Sequence, residues 1–300
     1  MKEITVISGK GGTGKTSLVA SLVSLAQKPV VADCDVDAAD LHLVLDPRVK
    51  EAHDFSGGKT AEIMPDKCNS CGKCYELCRF GAVIKDENSK PAYVIDHITC
   101  EGCGVCSYFC PEKAIAFEAA VNGQWFISDT RYGPMVHAKL GIAEENSGKL
   151  VALVRDQAKT IAENEGLSYV IVDGPPGIGC PVIASVTGTD YVLIVTEPTL
   201  SGEHDLERVM ELINYFKIPA FLCINKYDIN PGMSDKIEKK ARSAGIKIVG
   251  RIRYDRAVTD AQIKKLPVVE FTDAPVAFDL KNMWNTLVQE INLVTKGSQK

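Results

Sequence analysis

Eight of the chain's eleven cysteines fall into two runs of a single spacing. The first is Cys68-x-x-Cys71-x-x-Cys74-x-x-x-Cys78, and the second is Cys100-x-x-Cys103-x-x-Cys106-x-x-x-Cys110, with Pro111 after it. Short CxxCxxC loops bring successive soft thiolates inward around one point, which is what a cubane iron–sulfur cluster needs. Zinc also takes four cysteines, but its motifs pair two CxxC units across a longer gap. Disulfides in such numbers belong to small secreted scaffolds, and this chain has 300 residues and no expected secretory leader.

A second chemistry opens the chain. Gly9-Lys10-Gly11-Gly12-Thr13-Gly14-Lys15-Thr16, followed by Ser17, has the form of a phosphate loop. Successive backbone N–H groups of such a loop cradle phosphate oxygens, and the helix that follows adds positive potential. Lys15 is placed to neutralise β- and γ-phosphates and the Thr16 hydroxyl to ligate Mg²⁺. Acidic groups close two other apolar runs. Asp33-Cys34-Asp35-Val36-Asp37 follows residues 29–32, and Asp173 follows residues 169–172. Beside a phosphate loop, Asp35 and Asp173 become candidates for holding a metal. Asn225-Lys226-Tyr227-Asp228 follows the apolar residues 221–224. Read literally it is the NKxD string, whose carboxylate accepts hydrogen bonds from guanine.

These residues need a scaffold to hold them. Residues 4–8 form an apolar strand, 9–14 a glycine-rich turn, 15–27 a helix and 29–32 a second strand. From 51 to 63 the pattern is weak and extended, with a Gly57-Gly58 turn. Extended segments at 121–128 and 135–142 follow the cysteines, with Asn122-Gly123 as a hairpin-type turn. Residues 150–165 have helical periodicity and 169–172 are a strand. Strands near 190–196, 219–224 and 246–252 then alternate with helices near 202–216, 234–244 and 275–295. Such alternation predicts an α/β fold with a mostly parallel sheet. The last helix is expected to dock Phe278, Met283, Trp284, Leu287 and Ile291 on that sheet, and residues 296–300 are a short polar tail.

Composition sets limits. Apolar residues make up 45% of the chain, enough for a proper core. A formal charge of −5 gives no case for nucleic acid or an anionic membrane. Apolar runs such as 191–195 are too short to span a bilayer. The expected location is the cytoplasm, with no membrane anchor.

The extra lysine, Lys10, identifies the loop with the deviant phosphate loop of the MinD/ParA/Mrp/nitrogenase-iron-protein superfamily, which the chain resembles along its length. The resemblance implies that Gly11, Gly12, Thr13, Gly14, Lys15, Thr16 and Ser17 bind ATP. Asp33-x-Asp35 is similar to the first switch, with Asp35 orienting the attacking water near the metal. Asp173-Gly174-Pro175-Pro176-Gly177 is similar to the second switch, with Asp173 holding a Mg²⁺-bound water. Asn225 is then the contact to adenine. The family's extra lysine reaches the partner's phosphates in a nucleotide-sandwich dimer, so Lys10 implies a homodimer in the ATP state. The basic, amphipathic tail of MinD has no counterpart here, since the last helix carries Asp279, Lys281 and Glu290.

The cysteine runs resemble those of two-cluster bacterial ferredoxins. The resemblance implies two [4Fe-4S] clusters, each taking its fourth sulfur from the opposite run. One is held by Cys68, Cys71, Cys74 and Cys110, the other by Cys100, Cys103, Cys106 and Cys78. Arg79 stands where such runs often place proline, and it puts a cation near the second cluster. Cys180 matches a cluster ligand of the nitrogenase iron protein, but the second cysteine that cluster needs is missing from residues 132–137, so Cys180 reads as a structural thiol. Cys34 and Cys223 read as core thiols. His137 and His204 are given no role.

The whole reads as a P-loop ATPase in two parts, residues 1–62 and 119–300, with a small α+β ferredoxin-like insertion at 63–118. The expected function couples Mg·ATP-driven dimer switching to electron transfer with an unidentified redox or iron–sulfur acceptor protein. The alternative is an iron–sulfur cluster carrier ATPase of the Mrp type. A spatial organiser and an amide-forming ligase are further competitors, the first disfavoured by the non-basic tail and the second by the unexplained cysteines.

Overall fold

The computed structural model describes residues 1–86, 88–141 and 147–297. It divides into two compact units, Met1–Ala52 with Trp125–Lys139 and Ser147–Lys300, and His53–Gln124 with Leu140–Asn146. The predicted end of the second extended segment at Ile142 and the last three tail residues lie outside the described residues.

In chain order the first unit opens with β1 (Lys2–Ser8), α1 (Lys15–Leu25), β2 (Val30–Asp33) and α2 (Leu41–Leu45), and β3 (Arg48–Phe55) leads into the second. The second carries β4 (Gly58–Ile63), α3 (Lys73–Leu77), β5 (Val83–Lys85), β6 (Tyr93–Ile95), α4 (Val105–Tyr108) and β7 (Ile115–Ala120). The chain returns through β8 (Gly123–Thr130), β9 (Gly133–Leu140), α5 (Ser147–Glu165), β10 (Tyr169–Pro176), α6 (Cys180–Val186) and β11 (Tyr191–Thr196). It ends with α7 (Leu200–Phe216), β12 (Ala220–Asn225), α8 (Pro231–Ser243), β13 (Lys247–Ile252), α9 (Ala257–Ile263), α10 (Val268–Phe271) and α11 (Pro275–Gly297).

The main sheet has nine strands in the order β13-β12-β11-β1-β10-β2-β9-β8-β3. Every pairing from β13 to β9 is parallel. Such strands are covered on both faces, so β1, β10, β11 and β12 are buried almost end to end. Side chains alternate along β11. Leu193 and Val195 face the core shared with α1 and α11, while Val192 and Ile194 face the one shared with α6, α7 and α8. The parallel register sets Asp173, three residues before the end of β10, level with Asp33 at the carboxyl end of β2.

The helices carry their own signals. The Thr199 hydroxyl caps α7 by accepting from the Gly202 N–H at 3.0 Å, and Leu206, Val209, Met210 and Ile213 then form its buried stripe. On α11 Met283, Trp284, Leu287 and Ile291 are buried as expected, but Phe278 is 56% exposed. At 3.6 residues per turn Phe278 lies roughly 200° around the helix from Leu280, off the buried stripe.

Asn122-Gly123 is not a hairpin turn, because β7 pairs with β4 while β8 joins the nine-stranded sheet. Asn122 instead accepts from the Gly57 and Gly58 N–H groups at 3.0 and 3.2 Å and so braces the β3–β4 connection. The second unit is built on the antiparallel β4–β7 and β5–β6 pairs. Ala61, Ile63, Val83, Ile95 and Ile115 form its core, and Cys68, Cys74, Cys78, Cys100, Cys106 and Cys110 pack against them. Residues 58–62 and 119–120 pair here, outside the 63–118 span read from the cysteines.

A buried ion pair ties α5 to β1. Arg155 donates to both Glu3 carboxylate oxygens at 2.9 and 2.7 Å and to the Ala184 and Thr187 carbonyls at the end of α6. Both side chains are almost wholly buried. Removing Arg155 leaves the buried Glu3 with Lys159, 2.9 Å from Oε2 but partly exposed, so Arg155→Ala is expected to cost about 3 kcal/mol of stability in denaturant unfolding, the low end for a broken buried pair. Adding Glu3→Leu should recover part of that loss.

Candidate functional site

The site in the first unit begins where β1 ends. Gly14 sits at a left-handed φ of 84°, and a Cβ there would strike the Asn225 side-chain amide. Strain and space both exclude a side chain. The first N–H groups of α1, like those of any helix, have no intrahelical partner, and no side chain caps them. Residues Gly11 to Ser17 line one cavity with Asp35, Asp40, Asn225 and Lys226. The structure thus brings together most residues expected to handle a nucleotide.

Lys15 is the charge at its centre. Its ammonium lies 2.5 Å from Asp173 Oδ1 and 3.7 Å from Asp35 Oδ2, with Lys15 6% and Asp173 1% exposed. Burial pushes the Lys15 pKa down, but Asp173, Asp35 and Asp33 outweigh it and hold it above the usual value. Burial raises the Asp33 pKa well above the usual range, and the neighbouring Asp173 adds to this. Burial also raises Asp35, against the pull of Lys15. Thr13 Oγ1, Asp33 Oδ2 and Asp173 Oδ2 are buried without a hydrogen-bond partner in the structure. Such atoms are costly to leave unpaired.

Asn225 and Lys226 hold the loop itself. The Asn225 amide donates to the Thr13 carbonyl at 2.7 Å, and the Lys226 ammonium donates to the Gly12 carbonyl at 3.1 Å. Asp228, the carboxylate of the NKxD string, accepts from the Tyr254 N–H at 2.7 Å. It is engaged with the loop after β13. That loop and α9 supply Arg253, Tyr254, Asp255, Val258, Thr259 and Gln262 to the cavity wall, a contribution with no motif to announce it. Lys10 turns back on its own chain, 2.7 Å from Glu197 Oε1, 2.9 Å from Ser201 Oγ and 3.3 Å from Thr199 Oγ1. Glu197, directly after β11, was not singled out by its sequence context.

The second unit contains two cavities lined by thiols. Cys68, Cys71 and Cys74 share one with Cys110, and Cys100, Cys103 and Cys106 share the other with Cys78. Each cavity therefore draws three cysteines from one run and the fourth from the other. Gly102, at φ 59°, passes so close to the Lys59 carbonyl that a Cβ would collide with it. Among the described residues no group of three or more His, Cys, Asp or Glu side chains is placed to hold a metal ion.

The remaining thiols and imidazoles stand apart. Cys34 and Cys223 are buried, and burial pushes the Cys223 pKa up to about 12. Cys180 is exposed at the first residue of α6. Burial lowers the His137 pKa to about 4, with its Nε2 2.9 Å from Ser128 Oγ and its ring stacked on Phe126. His204 is exposed beside Asp205.

A parallel sheet with a phosphate loop after its first strand, and with Lys15 between Asp173 of β10 and Asp35 just after β2, defines a P-loop nucleotide-binding protein. Residues 4–268 match the CobQ/CobB/MinD/ParA nucleotide binding domain, CbiA, and the chain belongs to that family of P-loop ATPases. An uncharacterized protein of Methanocaldococcus jannaschii is 36% identical over 232 residues, 76% of this chain and 79% of its own. An iron-sulfur cluster carrier protein of Pyrococcus abyssi is 26% identical over 146 residues, 45% of this chain and 49% of its own. The solved structure of the Pyrococcus furiosus cell division ATPase MinD has the same fold, with a TM-score of 0.58 at 16% identity, covering 96% of this chain and 98% of that one. Among the described residues no helix is long and apolar enough to cross a membrane.

Proposed function

We propose that this ATPase couples Mg·ATP-driven dimer switching to electron transfer through two [4Fe-4S] clusters. The observation that carries the reading is the crossed lining of the two cavities, three thiols from one run and one from the other. A cube spreads its sulfurs over four irons. A single zinc needs all four sulfurs at about 2.3 Å from one point. Thiols set around a cavity, three from one run and one from the other, fit the cube. The close backbone at Gly102 belongs to the same cradle. When bound, the clusters would take up and release single electrons.

In the nucleotide half, Lys15 would neutralise the phosphates, which must draw its ammonium from Asp173. Thr16, Asp35 and Asp173 would hold Mg²⁺, which would screen phosphate charge, and the unpartnered Asp173 Oδ2 is an acceptor left for it. Asp35 would orient a water that is polarised rather than fully deprotonated. Lys10 would reach the partner subunit's nucleotide and favour a homodimer, as a cation supplied at the transition state. ATP is favoured over GTP because Asp228, the guanine-reading carboxylate, accepts from the Tyr254 N–H and is not among the residues that line the cavity with Asn225 and Lys226. Along the chain, the first switch at Asp35 and the start of the cysteine unit at His53 are separated by a loop, α2 and the first part of β3. Motion at the switch would reach the clusters along this short stretch of chain.

The test is anaerobic EPR of the reduced protein with and without Mg·ATP. Nucleotide is expected to change the cluster spectra and the rate of reoxidation by an added acceptor several-fold. Unchanged spectra and unchanged rates overturn the coupling. A second reading, a cluster carrier of the Mrp type, is favoured by the exposure of Cys71 and Cys103. ATP-dependent loss of iron to an apo-acceptor protein would select it.

A further inference from the structure

Glu197 directly follows β11 and has a carboxylate only 13% exposed with a lysine on each oxygen. Lys10 lies 2.7 Å from Oε1, and Lys226 lies 3.0 Å from Oε2. The Lys10 ammonium has two further acceptors, Ser201 Oγ at 2.9 Å and Thr199 Oγ1 at 3.3 Å. Thr199 is also the cap of α7, so the acceptors of Lys10 are fixed by the helix start. Lys226 in turn holds the Gly12 carbonyl. One carboxylate therefore joins the extra lysine of the phosphate loop to the lysine that braces the loop from β12.

We propose that Glu197 is a positioning residue that holds Lys10 in reserve on its own subunit and so sets how much ATP-driven dimerisation occurs. The inference rests on reading Lys10 as the cation offered to the partner's nucleotide. An ammonium carried on three acceptors in its own chain cannot meet a phosphate across an interface without leaving them. The competent state is then a minority, and the apparent dimer affinity is reduced by that fraction. Glu197→Gln keeps the shape and a hydrogen-bond acceptor but removes the charge that retains the lysine.

The experiment measures dimerisation by sedimentation equilibrium with a non-hydrolysable ATP analogue and Mg²⁺, for the full chain and its variants. Glu197→Gln is expected to tighten the dimer about tenfold. Glu197→Asp, which keeps the charge, should stay nearer the parent. In a Lys10→Ala background Glu197→Gln should change nothing. A folded Glu197→Gln protein that dimerises no better than the parent overturns the proposal. So does an equal gain in the Lys10→Ala background, which would reflect general charge removal at the loop. Lys10→Ala alone should weaken the parent dimer. If it does not, the trans role of Lys10 fails, an outcome distinct from failure of the Glu197 clamp.

Discussion

Lys15→Ala is expected to lower ATP turnover by a factor of about 10³, with weaker Mg·ATP binding. The physical reason is the position of one ammonium among Asp173, Asp35 and Asp33, at the start of a helix whose first N–H groups have no intrahelical partner. Transferring phosphate charge needs a cation already in place, and Lys15 is held there as a buried ammonium. Steady-state turnover and calorimetric titration with Mg·ATP would measure the two losses. The variant also leaves clustered carboxylates without their cation, so its melting temperature must be followed. Lys15→Arg keeps the charge but replaces a compact ammonium with a bulkier planar guanidinium, and it should fold better than Lys15→Ala while remaining slow. A folded alanine variant with more than a tenth of the parent turnover would show that Lys15 is not the phosphate cation.

The second large effect concerns iron. The full chain, prepared anaerobically, is expected to bind about eight irons, and Cys78→Ser about four. The crossed lining predicts which half disappears. Cys78 borders the cavity of Cys100, Cys103 and Cys106, so Cys78→Ser should empty that cavity and spare the one of its own run. Double variants make the test sharp. Cys78→Ser with Cys103→Ser removes two ligands of one cavity and should lose no more iron than either alone. Cys78→Ser with Cys71→Ser removes one ligand from each cavity and should lose nearly all of it. The opposite pattern, with Cys71 and Cys78 non-additive, would mean that each run serves its own metal. A single zinc per run would give no EPR signal on reduction.

The alternation of strands and helices was legible because fully buried parallel strands are continuous apolar runs, as in residues 191–196 of β11. The phosphate loop was legible for a different reason. Its glycines answer a local backbone demand, as at Gly14, where a positive φ coincides with the close approach of Asn225. Local patterns misled where pairing is long-range. Asn122-Gly123 has the composition of a hairpin turn, but its flanking strands belong to different sheets. Phe278 is apolar, but it lies off the buried stripe of α11. Glu197 and the residues after β13 carry no spacing signal, because they meet the phosphate loop from strand ends far away in sequence.

By itself the sequence determined the chemistry on offer: a phosphate loop with an extra lysine, and thiols in two runs of metal-binding spacing. Those are local facts, written within a dozen residues of chain. Only the tertiary structure decided which groups meet. Parallel register brings Asp33 level with Asp173, and β11 delivers Glu197 to Lys10 from 187 residues away in sequence. Folding of the cysteine unit sets Cys110 beside the first run and Cys78 beside the second. Contacts between distant segments depend on sheet order and register, which are fixed by the burial of whole strands rather than by any motif.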